Sequence, residues 1–543
     1  MKRLTRWALL VLAVSCVEFL CSGQWQRDER SNDVRALATA VFPSAAAFET
    51  VPKKAESKIV FGMTLEPVGF YPLRAIDSAS YYVQTLVYEG LVKYNAKLEI
   101  SPALAQSWTA SADGLKYSFR LRSGLHFSDG APLGLIDVIE SFKLATARGS
   151  PFRADFNDVV SFEAEQEQFV VKLKTPNAAF LSRMVELRIL PAKILRTADQ
   201  GRILLSRQPI SSGPFKLIRW QSGLELVFAP NPYYWGDKPG FDLLVWRIVP
   251  DKTMLALALD RGELDLAQID ALSWSKRLAN NPVLVLERFA GTRTVYLGFN
   301  CGREPFKDVG WRKAVAAAID KEALVKHLYQ GYARVAVADA PAGTWYFDPK
   351  VTSAPFDPRL ARAEISRLTE QLPRPIEGFR ILTIKEMDEL AEVISSQLHE
   401  IGIANEVQIL EYTTLKRRYL QSGDFSTFVW SRSAGPDPEA EIVWGPKGPL
   451  NYVRFQDARL ADLLKKGRQA FSREERRKIY GDIQALLAEQ LPWDFLVQPD
   501  LLMVHSKRIG NVKLPEQANL SLPWDNPFFN AARWVKPAPP QTE

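Results

Sequence analysis

The chain has 543 residues, 47% of them hydrophobic, and a formal charge of +7. That is ample apolar material for a sizeable core and too much chain for one domain of ordinary size, so two or three domains are expected. The charge is modest for this length and no long Lys/Arg tract occurs, which argues against a nucleic-acid groove.

Taken in chain order, Lys2, Arg3 and Arg6 precede an uncharged run, 7–17, which Glu18 interrupts. The run is about half the length a helix needs to cross a bilayer. Residues 1–23 therefore read as an export signal and not a permanent span. The body is expected to work outside the cytoplasm, where chemistry that needs ATP, NAD or nucleic acid is out of place. Ala13-Val14-Ser15-Cys16 resembles the lipobox of bacterial lipoproteins, with Ala13 where a leucine usually stands. Lipid attachment at Cys16 would tether the protein, whereas cleavage after a small residue such as Gly23 would release it, and both routes stay open. Residues 24–57 contain charges and Ala-rich stretches without persistent alternation, and read as a flexible linker. Of the three cysteines, only Cys301 clearly belongs to the body, where it is expected to be a buried small hydrophobe.

The ordered part begins at 58–62, whose apolar centre suits a buried strand. Residues 80–94 read as a helix ending at Gly90 and running on into a strand. Strand alternation marks 117–122 and, twice, 156–174, while 135–148 has helical spacing. A tight turn at 211–215 feeds the strand 216–220, with 224–229 as its hairpin partner. The strand 243–249, the helix 253–261 stopped by Gly262, and a return to the sheet at 263–267 follow. Beyond Arg293 the pattern restarts with a strand at 296–300 and one long amphipathic helix over 308–329. Helices at 388–402, 414–420, 459–469 and 473–487 and strands at 406–410 and 425–430 complete it. Helices mixed with strands of both kinds imply α/β domains on mixed sheets.

Enzyme motifs are missing. There is no G-x-S-x-G elbow and no H-E-x-x-H. His126, His327, His399 and His505 are far apart, and 424–441 lacks the regular oxygen-ligand spacing of an EF-hand loop. No catalytic residue, resident metal or cofactor is expected, and an exported hydrolase is the weaker alternative.

Several motifs then occur in order. They are Tyr88-Glu89-Gly90-Leu91, Pro102-Ala103-Leu104-Ala105-Gln106-Ser107-Trp108, the run 119–130 with Asp137-Val138, Ser212-Gly213-Pro214-Phe215, Asn231-Pro232-Tyr233-Tyr234-Trp235, the run 300–320, and Asp437-Pro438. Over about residues 58–535 the chain resembles extracytoplasmic solute-binding proteins of the dipeptide/oligopeptide type, family 5, the receptors of ABC importers. Most of these motifs are scaffold: Gly90, Gly130 and Gly213 are expected in turns, and Trp108, Phe127 and Trp235 in the core.

The resemblance implies a bilobal α/β periplasmic-binding-protein fold (type II, with an extra inserted domain) around a ligand cleft. The first lobe would comprise 58–96, 208–300 and a return at 504–535, the inserted domain 97–207, and the second lobe 301–503. The tail 536–543 is expected to be disordered. The implied activity is capture of a peptide or related small solute by a monomer, followed by delivery to the membrane subunits of an ABC permease. A receptor for an oligosaccharide, an opine-like solute or a metal chelate is the alternative. In peptide-binding relatives an Asp shortly before the late Asp-Pro pairs with the peptide α-amine. Here that position is Ala434, or Ser433 if the loop slips by one, and Arg432 adds a positive charge. A buried ammonium without its carboxylate is costly, so a free peptide N-terminus needs another partner. The expected ligand contacts are Trp430, Arg432, Ser433, Ala434, Trp345, Tyr81 and Tyr82.

Overall fold

The computed structural model describes residues 57–75, 77–371, 378–514, 522 and 525–536. The expected signal with Cys16, the linker 24–56 and the tail beyond 536 lie outside the described residues.

The first described strand, Lys58–Met63, sits inside a seven-stranded mixed sheet. It pairs in parallel with Leu243–Ile248 on one side and Leu266–Ile269 on the other. Ile59 and Phe61 are fully buried and Val60 nearly so, which explains why this strand reads as a continuous apolar run and not an alternation. Antiparallel partners extend the sheet through Glu225–Pro230 to Phe215–Gln221 at one edge and through Leu501–Ser506 to Leu284–Phe289 at the other.

A second sheet of six strands runs Ala333–Val335, Trp493–Pro499, Arg293–Phe299, Thr427–Ser433, Phe379–Ile384, Asn405–Leu410. Its core splits in two. Val295, Leu297 and Val429 belong to one cluster, which includes Trp311, Val315 and Ile394 from the helices Val309–Ala317 and Asp388–Glu400. Tyr296 and Phe428 belong to the other, with Trp444 and Trp493. The alternation of neighbouring residues between clusters is that of a strand with both faces covered. A four-stranded antiparallel sheet, Ala105–Ala110, Lys116–Leu121, Gln168–Leu173, Val159–Glu165, carries its own core with the helix Leu135–Thr146. These three sheets are the two lobes and inserted domain of a bilobal α/β fold.

The chain leaves the first sheet at Phe289, enters the second at Arg293, and returns between Pro499 and Leu501. Strand 293–299 thus belongs to the second sheet, not to the first lobe as a boundary at 300 requires, and the return begins before 504. The two crossovers touch: a Cβ at Gly291 would collide with the Pro499 carbonyl oxygen. Asp500, whose side chain is fully buried, ties them together. It pairs with Arg288 from the first sheet and accepts from Arg334 of the second at 3.1 Å.

Other local expectations are corrected. The long helix over 308–329 is interrupted after Ala317. Asp320 takes an extended backbone and accepts from the Ala323 N–H at 2.9 Å, so it caps a new helical start that continues as the π-helical turn Leu324–Leu328. Of the three aromatic anchors only Phe127 is fully buried; Trp108 and Trp235 are half-buried. The Trp235 indole donates to Glu89 at 2.6 Å, and the Arg122 guanidinium lies 3.9 Å from its ring centre, so the half-buried ring carries a cation while packing at the margin of the apolar core. Gly90 and Gly213 are tight approaches: an added Cβ would stand 2.9 Å from the carbonyls of Leu187 and Leu86 respectively.

Candidate functional site at the seam between lobes

The strand Thr427–Ser433 pairs along its whole length with Arg293–Phe299 and, at Thr427 and Phe428, with Phe379–Ile384, so its start is held from both sides and its second half from one. Strand periodicity puts Phe428, Trp430 and Arg432 on one face. Phe428 is buried, and Trp430, partly exposed, has its ring 5.4 Å from that of Tyr412. Arg432 is ion-paired with Glu439. The other oxygen of Glu439 accepts from Arg183 Nη1 at 2.6 Å, and Arg183 Nε lies 3.4 Å from Asp155.

Asp155 and Arg183 belong to the inserted domain, whereas Arg432 and Glu439 belong to the second lobe. The chain Asp155–Arg183–Glu439–Arg432 therefore crosses the seam between them. Burial alone would raise the Glu439 carboxyl, but Arg183 and Arg432 overcome it and hold Glu439 below its usual value. Farther along the seam, Arg468 of the second lobe pairs with Asp158 of the inserted domain, and its carbonyl accepts from the Ala178 N–H at 3.0 Å.

After the strand, the backbone turns toward the crossover. Ser433 stands opposite Arg293 in the ladder, and the buried Ala434 donates its N–H to the Thr292 carbonyl at 3.0 Å. Thr292 in turn donates its N–H to Asp525 at 2.7 Å. Asp437 accepts both Arg476 amino groups, at 2.8 and 2.9 Å, a bidentate pair that fixes the loop. Arg476 and Arg473 lie 5.1 and 5.0 Å from the ring centre of Trp345, so that indole already has guanidinium partners. Its neighbour Tyr346 donates its hydroxyl to the Gly435 carbonyl at 3.0 Å.

The first lobe supplies the helix Ser78–Val87, capped by Asp77. Tyr81 borders a cavity of about 300 Å³ whose walls include Tyr94, Arg188 and Asn526. Tyr82 is only 6% exposed and belongs to the first core, so of the two tyrosines Tyr81 is the one that faces open space.

The expected residues thus separate. Trp430, Arg432, Ser433 and Ala434 share one strand and its exit. Trp345 is connected to them through Arg476 and Asp437. Tyr81 approaches from the first lobe and Tyr82 points inward. Arg432, expected as a ligand contact, spends its guanidinium on Glu439. Arg183 and Glu439 escaped sequence reading: an Arg in a short helix and a Glu after Asp437-Pro438 have no local mark, and they meet across 256 positions.

The family pattern described as bacterial extracellular solute-binding proteins, family 5 middle, matches residues 99–451. The oligopeptide-binding protein AppA of Bacillus subtilis is 27% identical over 508 residues, spanning 88% of this chain and 91% of that protein. Heme-binding protein A of Haemophilus influenzae is 26% identical over 500 residues, spanning 84% of this chain and 90% of that one. Among solved structures, that of the Bacillus subtilis oligopeptide-binding protein with a nonapeptide superposes with a TM-score of 0.76 at 23% identity, covering 89% of this chain and all of that one, a likeness of fold.

Proposed function

Because this chain belongs to the bacterial extracellular solute-binding proteins of family 5, we propose that it captures short peptides between its lobes and hands them to an ABC permease. As a member of that family it is the extracytoplasmic substrate-binding protein of an ABC importer, a binding protein and not a catalyst. The peptide reading is supported first by similarity along 88% of the chain to an oligopeptide-binding protein. The geometric observation that carries it is the ion chain from Asp155 to Arg432, which joins inserted domain to second lobe beside a partly exposed aromatic wall.

In this reading closure does the work. A ligand that contacts both sides favours the closed arrangement by binding it better than the open one. Trp430 and Tyr81 supply apolar surface, and the Ser433–Ala434 backbone lines the turn. Trp345, held by its two arginines, shapes the wall. Arg432 acts through Glu439, holding the second lobe to Arg183. A diacyl group on Cys16 would keep the receptor at the membrane, with 24–57 as its spacer.

Calorimetric titration of the purified protein with tri-alanine, followed by chromatography of the recovered peptide, tests the reading. One-to-one binding with the peptide returned intact is expected. Hydrolysis of the peptide would contradict the receptor assignment, and failure of a pool of di- to pentapeptides to bind would contradict the peptide assignment.

A further inference from the structure

The cavity beside Tyr81 has walls with an excess of positive charge. Its volume of about 300 Å³ lies at the lower end of the range for small-molecule pockets. Among the described residues, every one that borders it belongs to the first lobe or the inserted domain, and none to the second lobe. The cavity is therefore distinct from the seam that Arg183 and Glu439 cross.

Its charged wall residues are Lys93, Arg188 and Arg533 against Glu89. Glu89 is buried and already served: it accepts from Lys93 at 3.2 Å, from the Tyr234 hydroxyl at 2.7 Å and from the Trp235 indole at 2.6 Å. The cations keep donors in reserve. Lys93, its side chain 42% exposed, spends one of its three ammonium protons on Glu89. Arg188 donates to the Val185 carbonyl at 3.1 Å and lies 3.7 Å from Glu186, a long ion pair. Arg533 is exposed, and its guanidinium makes no ion pair among the described residues. Three cations against two carboxylates, Glu89 and Glu186, leave one positive charge over.

The same space is bordered by the rings of Tyr81, Tyr94 and Phe529. Aromatic walls with one surplus cation suit a flat monoanion. Its ring leaves water against the walls, and its anionic end takes charge-assisted hydrogen bonds. A phosphate, with nearly two charges and no apolar surface, suits the cavity less well.

We propose that this cavity binds the carboxylate of a small aromatic acid, held by the exposed Arg533 and Lys93 and by the mostly buried Arg188. With no second-lobe wall, binding there needs no closure of the lobes, and the assignment does not rest on the peptide reading. Two sources offer that chemistry: a free aromatic acid, or the carboxyl end of a peptide whose last residue is aromatic.

The test is calorimetry on the full chain with benzoate and with its uncharged counterpart benzamide. The wild type is expected to prefer benzoate by about 10- to 100-fold. Arg533→Met and Lys93→Met are each expected to weaken benzoate by about 3- to 10-fold and to leave benzamide unchanged. Should Lys93→Met, which takes a partner from the buried Glu89, fail to fold, Arg533→Met at its exposed position decides. Equal binding of the two probes, or no binding of benzoate, overturns the assignment. So does an unchanged benzoate affinity in Arg533→Met, or inorganic phosphate binding more tightly than benzoate. Benzoate titrated into protein saturated with alanyl-alanyl-phenylalanine separates the sources. Lost benzoate binding places the carboxyl end of the peptide in the cavity, and undiminished binding leaves the cavity to a separate acid. Failure of every peptide to bind removes the peptide reading and leaves this assignment to the benzoate result.

Discussion

At the residue scale, two ion pairs with similar chemistry serve different ends. Lys321 and Asp494 are enclosed within the second lobe, 2.5 Å apart, with side chains 5% and 0% exposed. The ammonium also donates to Ser353 at 2.6 Å, but Asp494 Oδ2 has no hydrogen-bond partner among the described residues. Burial raises the Asp494 carboxyl and Lys321 offsets only part of it, so the pair is held by packing as much as by attraction. Replacing Lys321 with Met strands the carboxylate, and a loss of about 3–5 kcal/mol is expected. Thermal unfolding should show a lower midpoint, recovered in part by the double change Lys321→Met with Asp494→Leu. A midpoint unmoved by the single change would contradict this account of the pair. Glu439, by contrast, holds cations from two domains, so what it stabilises is the position of one domain against another. None of this was visible in sequence. Trp430 and Arg432 were marked by their place before Asp437-Pro438, but their partners come from segments that only folding brings close.

At the element scale, local patterning located many strands and helices because period and turn chemistry are local. The hairpin of Phe215–Gln221 with Glu225–Pro230 is an example, its turn closed by Glu66, which accepts from Ser222 and from the Gly223 N–H at 2.8 and 3.0 Å. The break after Ala317 was missed because apolar residues continue past it at helical spacing; Asp320, a capping residue in mid-run, was the available sign. The crossovers were invisible for a different reason. Their defining contact, Gly291 against Pro499, joins segments far apart in the chain. Gly291→Ala must push the crossovers apart, and overpacking of this kind costs about 1–3 kcal/mol. A lower melting midpoint is expected, together with a changed radius of gyration by small-angle scattering. Wild-type values for both would show that the crossovers do not constrain the lobes.

At the scale of the whole molecule, the three larger sheets among the described residues each pack on core clusters of their own and are joined by few stretches of chain and by charged contacts at their seams. That division fits a receptor: each body carries a hydrophobic core, and the binding energy of a ligand acts on the arrangement between them. The most direct measurement is mass spectrometry of whatever stays bound through purification under non-denaturing conditions. The account predicts an intact short peptide, released on denaturation in a one-to-one ratio. Retention of only a sugar, a heme or a metal chelate, with no peptide able to displace it, would contradict the peptide claim.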